Sequence, residues 1–507
     1  MEKQYILKKL IAITIVVASI FSHCFGKNAN RFTNNANNNN YSRKPSLRSV
    51  FAKASTDRQG GVYPEQGRRS GRHALNPSIE MQGIKAKAEH WITVFSHGII
   101  SAAPLLSFDL IGRMMKNNLK GTFYEKYVYN VRRDRYFCQN QPMQELGLKI
   151  IDTQRTDADD GCPAMAQIFD LQSSWLHPDK KINNYYYTFG WEALLIHESR
   201  YEDAKKLHIA LSQEIKKYRD RGINPKIRLI GFSHGASVLL NLGGVRQNEN
   251  IEKNFEIDEL ILLGMPVQRN SDNYINAPLF KKVYNFYSKY DRIQVLDFSN
   301  PGKLFSRRKF KRRPNLQIPT NLMQVRLEML RHNPKQDKWI KNSKKYRENI
   351  RTGKLLPRHS HGVRNSSPGH CEWWFFGWTN KYYRDNFSIY PLPILALIPT
   401  IIDTINNTDL TYYYDKKLGN HLTLRLIPFQ ERMIIQNKYA QRTIDFLTEN
   451  QLNQLKDVTK AFPFKKVTQK EYATRVDSII EETKEEMSVQ LAKTKKKSRR
   501  SVHRKRA

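Results

Sequence analysis

The chain has 507 residues, of which 85 are Lys or Arg and 47 are Asp or Glu, giving a formal net charge of +38. Hydrophobic residues at 39% and aromatics at 11% suffice for a sizeable core, which excludes a wholly disordered chain, and no collagen period, heptad array or longer repeat points to a fibre or solenoid. The length suggests about two to four units of domain size. The charge calls for an anionic partner such as nucleic acid, phospholipid head groups or an acidic polymer, unless it only solvates surfaces; its distribution decides between these.

Residues 1–26 read as a secretory signal peptide. Lys3, Lys8 and Lys9 form a basic start, Leu10 to Phe21 is uncharged and mostly apolar, and Cys24 and Gly26 mark a cleavage site before Lys27. Twelve residues span about 18 Å as a helix, short of the roughly 30 Å of a bilayer core, so a cleaved signal is favoured over a permanent anchor. Export would leave Cys138, Cys162 and Cys371, none with metal-ligand spacing. Cys138 and Cys162 are a candidate pair in an oxidising compartment, with the bridge left open.

Residues 27–84, with their Asn runs and scattered Arg, read as a disordered leader. One large folded domain is expected over 85–465. Strands are predicted at His90–Phe95, Tyr185–Phe189, Lys226–Ile230, Glu259–Leu263 and Val283–Tyr287. Helices are predicted at Phe108–Asn118, Arg200–Arg221 and Ala236–Leu242, with Ala204, Leu207, Leu211 and Ile215 forming the buried stripe of the second. This alternation predicts an α/β fold, a mostly parallel sheet with helices on both faces. The segment 134–184 is a candidate cap.

A basic insert, 301–360, carries 18 Lys or Arg against 3 acids and includes one candidate strand, Gln324–Met329. Residues 388–405 read as a buried helix broken by Pro391, Pro393 and Pro399. Residues 421–435 alternate like a strand. Residues 466–490 read as an exposed charged helix, and 491–507 as a basic tail with 9 Lys or Arg and no acid. The insert, leader and tail absorb most of the charge, leaving the remainder nearly neutral, which argues against a nucleic-acid-binding core.

Gly231-Phe232-Ser233-His234-Gly235 matches G-x-S-x-G. An apolar strand leads into it and an apolar helix leads out, the strand–turn–helix context that a nucleophile elbow needs. On these residues the chain resembles the α/β-hydrolase superfamily, particularly its lipase- and esterase-like members. The resemblance covers about 88–300 and, more loosely, 361–460. It implies a Ser–Asp–His order, with Ser233 as nucleophile and Asp291, in Ser288-Lys289-Tyr290-Asp291, as the acid; Asp297 is the rival. The histidine it implies is His370, in Ser367-Pro368-Gly369-His370 before an expected apolar helix, with His361, His359 and His421 as alternatives.

Ser96-His97-Gly98-Ile99 resembles a lipase HG-x motif, so the oxyanion donors implied are the backbone N–H groups of Ile99 and His234, with His97 and Gly98 as supporting residues. The multi-glycine form of the motif is absent. The implied activity is hydrolysis of a carboxylic ester in a small molecule or lipid through an acyl-enzyme, with no cofactor or metal required. The basic insert, lying between Asp291 and His370, is expected to rim the pocket and steer the protein to an anionic membrane or envelope surface. The alternative is an inactive hydrolase-like scaffold that holds an anionic polymer or membrane through its basic segments.

Overall fold

The structure is a computed structural model. It describes residues 88–100, 121–155, 160–194, 197–249, 251, 254–289, 291, 293–295, 306–332, 363–366, 368–377, 389–412, 414–415, 417–427, 432–462, 464 and 469–504. The signal peptide expected at 1–26, the leader expected at 27–84, the helix expected at Phe108–Asn118, and Asp297, His359 and His361 lie outside these residues.

The strands are β1 (Glu89–Ser96), β2 (Gly147–Ile150), β3 (Ile182–Gly190), β4 (Lys226–Phe232), β5 (Ile257–Leu263), β6 (Phe280–Tyr287), β7 (Leu322–His332), β8 (Val363–Ser366), β9 (Tyr414–Asp415), β10 (Gly419–Ile427), β11 (Arg432–Gln436) and β12 (Gln441–Asp445). Ten of them lie side by side in the order β12-β11-β10-β7-β6-β5-β4-β1-β3-β2, while β8 pairs with β7 and β9 with β10. Every neighbouring pair from β3 to β10 is parallel. The edges turn antiparallel, through β2 on one side and β11 and β12 on the other. From β1 the sheet grows to β3 on one side and to β4 on the other, the kind of switch in strand order at whose carboxyl ends open α/β sheets place their ligand sites.

The helices are α1 (Phe123–Arg133), α2 (Arg135–Gln139), α3 (Cys162–Leu176), α4 (His197–Arg219), α5 (His234–Asn248), α6 (Ile398–Asn406), α7 (Glu449–Lys460) and α8 (Gln469–Arg504). Alternate residues of each central strand serve opposite faces, because successive side chains point to opposite sides of a strand. Ile92, Val94, Ile227, Leu229, Leu260 and Leu262 pack with α1, α4 and α5, including the predicted stripe Ala204, Leu207, Leu211 and Ile215. Phe95, Ile230, Phe232, Ile261 and Leu263 pack with α3, α6 and α7. Each such Leu or Ile contributes about 1.5–3 kcal/mol by leaving water.

Several expectations change. The segment 134–184 is no cap: it supplies α2, the edge strand β2 and α3, whose Met165, Ile168 and Phe169 are buried on the sheet. The strand inside the basic insert, β7, lies in the parallel body of the sheet between β6 and β10, so this strand is part of the sheet, while 301–305 and 333–360 lie outside the described residues. Residues 421–435 form two strands of a hairpin instead of one. A single 3₁₀ turn, Cys371–Trp373, replaces the helix expected after His370. The C-terminal helix runs on through most of the expected tail, to Arg504. Cys138 and Cys162 are both buried, and no disulfide joins them. No described helix is long and apolar enough to cross a membrane.

Candidate active site

Ser233 sits where β4 gives way to α5, with φ 52° and ψ −126°, a left-handed conformation that non-glycine residues adopt only under strain. Its N–H is anchored to the Leu263 carbonyl at the end of β5, at 2.9 Å. The flanking glycines follow from space. A Cβ on Gly231 would lie 2.5 Å from the Ala236 Cα, and one on Gly235 would lie 2.0 Å from the His97 carbonyl oxygen. The bare Gly231 lets α5 turn back close against the end of β4, and the bare Gly235 lets the turn close on the loop after β1.

Asp291 follows β6 and His370 follows β8, and the two loops are tied directly by the Ser288 hydroxyl, which donates to the Pro368 carbonyl at 2.6 Å. His370 Nδ1 lies 2.8 Å from Asp291 Oδ2, and His370 Nε2 lies 2.9 Å from Ser233 Oγ. A carboxylate only accepts, so Nδ1 carries the proton and Nε2 is left to accept from the serine hydroxyl. Asp291 and Ser233 are each only 1% exposed, and the imidazole ring lies against Phe232 at 4.7 Å between centroids.

Three supporting contacts on the acid were not legible in the sequence. Trp373 Nε1 donates to Asp291 Oδ2 at 3.2 Å, the Gln294 N–H donates to Oδ1 at 3.2 Å, and Arg308 Nε donates to the Asp291 carbonyl at 2.9 Å. Trp373 falls just after His370, and Arg308 within the basic insert 301–360. Nothing in their local sequence marks a partner 82 or 17 residues away. The neighbouring Glu372 is buried, and its carboxyl is pushed up to about 7, chiefly by burial and also by the charge of Asp291.

The loop after β1 lies against the elbow. A Cβ on Gly98 would sit 3.2 Å from the Ser233 Cβ, so the Gly98–Ile99 peptide borders the serine. The His234 N–H opens α5, where free backbone donors and the helix dipole favour negative charge. His234 is itself buried, and burial, Arg200 and His370 hold its imidazole neutral, well below its usual range. His97 is likewise held well below its usual range, by burial and then by Arg132. Of the alternative histidines, His421 lies on β10, bonded to the Tyr287 hydroxyl at 2.6 Å and with its pKa lowered to about 4 by burial and nearby Lys309 and Arg326. It makes no described contact with Ser233.

The basic stretch 306–313 is spent largely on internal contacts. Besides the Arg308 bond, Phe310 is fully buried and Arg313 pairs with Asp272 at 2.5 Å. Comparison of the chain with protein-family models, with curated proteins and with solved structures finds no match.

Proposed function

We propose that this chain is a secreted serine hydrolase of the α/β-hydrolase type that cleaves a carboxylic ester through an acyl-enzyme. The observation that carries the reading is the unbroken hydrogen-bond chain from Ser233 through His370 to Asp291, seated on a strained strand–turn–helix at the carboxyl edge of a parallel sheet. The Ser–Asp–His chain order of that superfamily supports it.

Ser233 Oγ attacks the ester carbonyl carbon while His370 Nε2 takes the hydroxyl proton. Asp291 holds the Nδ1–H and stabilises the imidazolium, and Trp373 and Gln294 fix the carboxylate in turn. The N–H groups of His234 and Ile99 meet the oxyanion. Nε2 then gives its proton to the departing alkoxide, and water, deprotonated by the same nitrogen, releases the acid and restores Ser233. A thioester or amide would follow the same course with a different leaving group.

A fluorophosphonate probe and a panel of chromogenic esters of rising chain length test the reading. Wild type is expected to be labelled at Ser233 and to turn over esters, and Ser233→Ala to do neither. A folded wild type that is neither labelled nor active would sink the proposal and favour the inactive scaffold. We also propose an anionic lipid or envelope surface as partner of the basic segments, on charge alone.

A further inference from the structure

The strongest unassigned feature near the elbow is a buried cation. Arg132, in the last turn of α1, is 3% exposed, yet no described carboxylate is ion-paired with it. Burial lowers its pKa only to about 10, and Asp203 and Glu192 offset its charge at longer range, so it is a cation at neutral pH. Its guanidinium Nη2 donates to His97 Nε2 at 2.8 Å, and Nη1 donates to the Gln144 carbonyl at 3.3 Å.

The partners of His97 settle its tautomer. A guanidinium has no acceptor, so Nε2 carries no proton; the other nitrogen, Nδ1, lies 2.6 Å from the Gly98 carbonyl, which can only accept, so Nδ1 carries it. Trp191 stacks on the ring at 5.7 Å, and its Nε1 donates to the His97 carbonyl at 2.7 Å. The His97–Gly98 and Gly98–Ile99 peptides are thus each held by their oxygen. In a trans peptide the N–H points opposite to the C=O, so a bond that pins the Gly98 oxygen also aims the Ile99 N–H.

We propose that Arg132 and His97 are positioning residues that orient the Ile99 N–H toward the oxyanion formed at Ser233. This rests on the hydrolase reading above. Arg132 locks the tautomer and ring of His97, and His97 locks the Gly98–Ile99 peptide. The dipole needed in the transition state is then in place before the substrate arrives.

The experiment compares wild type, His97→Ala, Arg132→Lys and Arg132→Ala on one chromogenic ester and against an arylboronic acid, which forms a tetrahedral adduct with a nucleophilic serine. Both His97→Ala and Arg132→Lys are expected to lower kcat about 10- to 100-fold with KM within about twofold, and to weaken boronate inhibition by a similar factor. Lys keeps the charge but loses the fork, so it separates geometry from electrostatics. Arg132 lines an open cleft of about 450 Å³, which gives small solutes a route to the vacated site. Millimolar guanidinium is therefore expected to restore part of the kcat of Arg132→Ala, and sodium at equal ionic strength is not. If Arg132→Ala does not fold, the His97→Ala and Arg132→Lys pair decides alone. Unchanged kcat and boronate affinity in folded variants, with Ser233 still labelled in wild type, overturns this inference only. Absence of labelling in wild type overturns both it and the hydrolase reading.

Discussion

Asp291 is held by three donors on its carboxylate and one on its backbone, so its contribution can be taken apart one atom at a time. Asp291→Asn keeps the shape but presents an NH₂ or a weaker acceptor to His370 Nδ1, and the expected loss in kcat is about 10⁴-fold. Trp373→Phe removes one donor and leaves the ring, and a smaller fall, about tenfold or less, is expected in the same ester assay. Glu372 tests a different quantity. Its folded pKa of about 7 stands above the ordinary 4.5, so the folded state holds the proton more tightly than the unfolded state. Its contribution is therefore fully present below about pH 4.5 and is lost as pH rises through 7, by up to roughly 3 kcal/mol. Thermal melts of Glu372→Gln between pH 5 and 8 are expected to fall less with rising pH than those of wild type. Parallel curves would show that the carboxyl is ionised throughout.

At the scale of elements, the elbow depends on two loops that touch through missing side chains. Gly235→Ala would drive a methyl into the His97 carbonyl, a backbone atom that cannot swing aside. A folded but inactive protein, or one several degrees lower in Tm, is expected. The seat of Ser233 was legible in the sequence because it is local: strand, turn and helix occupy 23 consecutive residues, and their periodicities change at the motif. The sites of Asp291 and His370 were legible only as loops in the right order. The strut between those loops, Ser288 to Pro368, joins residues 80 positions apart, and no spacing rule reports such a bond. Strand β7 shows the opposite failure. Its apolar alternation was visible, but the basic residues around it gave it the look of an excursion, whereas Arg308, Phe310 and Arg313 anchor that stretch to the acid loop and its neighbours. Arg308→Ala is expected to reduce ester turnover, so deleting 303–313 would confound a surface-binding test with damage to the acid.

For the whole molecule, histidines held in the fold contribute to the response to acid. His97, His208, His234 and His421 are all held below their ordinary pKa, first by burial, with His208 and His421 lowered to about 4. Each binds its proton more readily when unfolded, so stability is present above about pH 6.5 and is lost as pH falls toward 4. Glu372, Asp203, Asp160 and Asp170, all raised first by burial and Asp203 to about 6, act in the opposite sense, whereas the lowered carboxyls of Glu89 and Asp415 act with the histidines. A lower Tm at pH 4.5 than at pH 7.5 is expected, and His421→Gln should narrow the gap. The proposed anionic surface is best tested away from the acid loop, by charge reversal at Lys495, Lys496, Lys497, Arg499 and Arg500 near the end of α8. Sedimentation with phosphatidylserine vesicles should weaken in the variant and in high salt. Equal sedimentation in both would mean that the charge only keeps the chain dispersed.

The bond from the Ser288 hydroxyl to the Pro368 carbonyl turns two remote loops into one body. A relay assembled in this way has already lost its conformational freedom during folding, so a ligand that binds it need not order the acid or the base. Phosphonate capture of Ser233 should then proceed as a single exponential from the moment of mixing, without a lag. Ser288→Ala should split the capture into a fast and a slow phase, because molecules whose loops are apart at mixing react only as fast as the loops find each other.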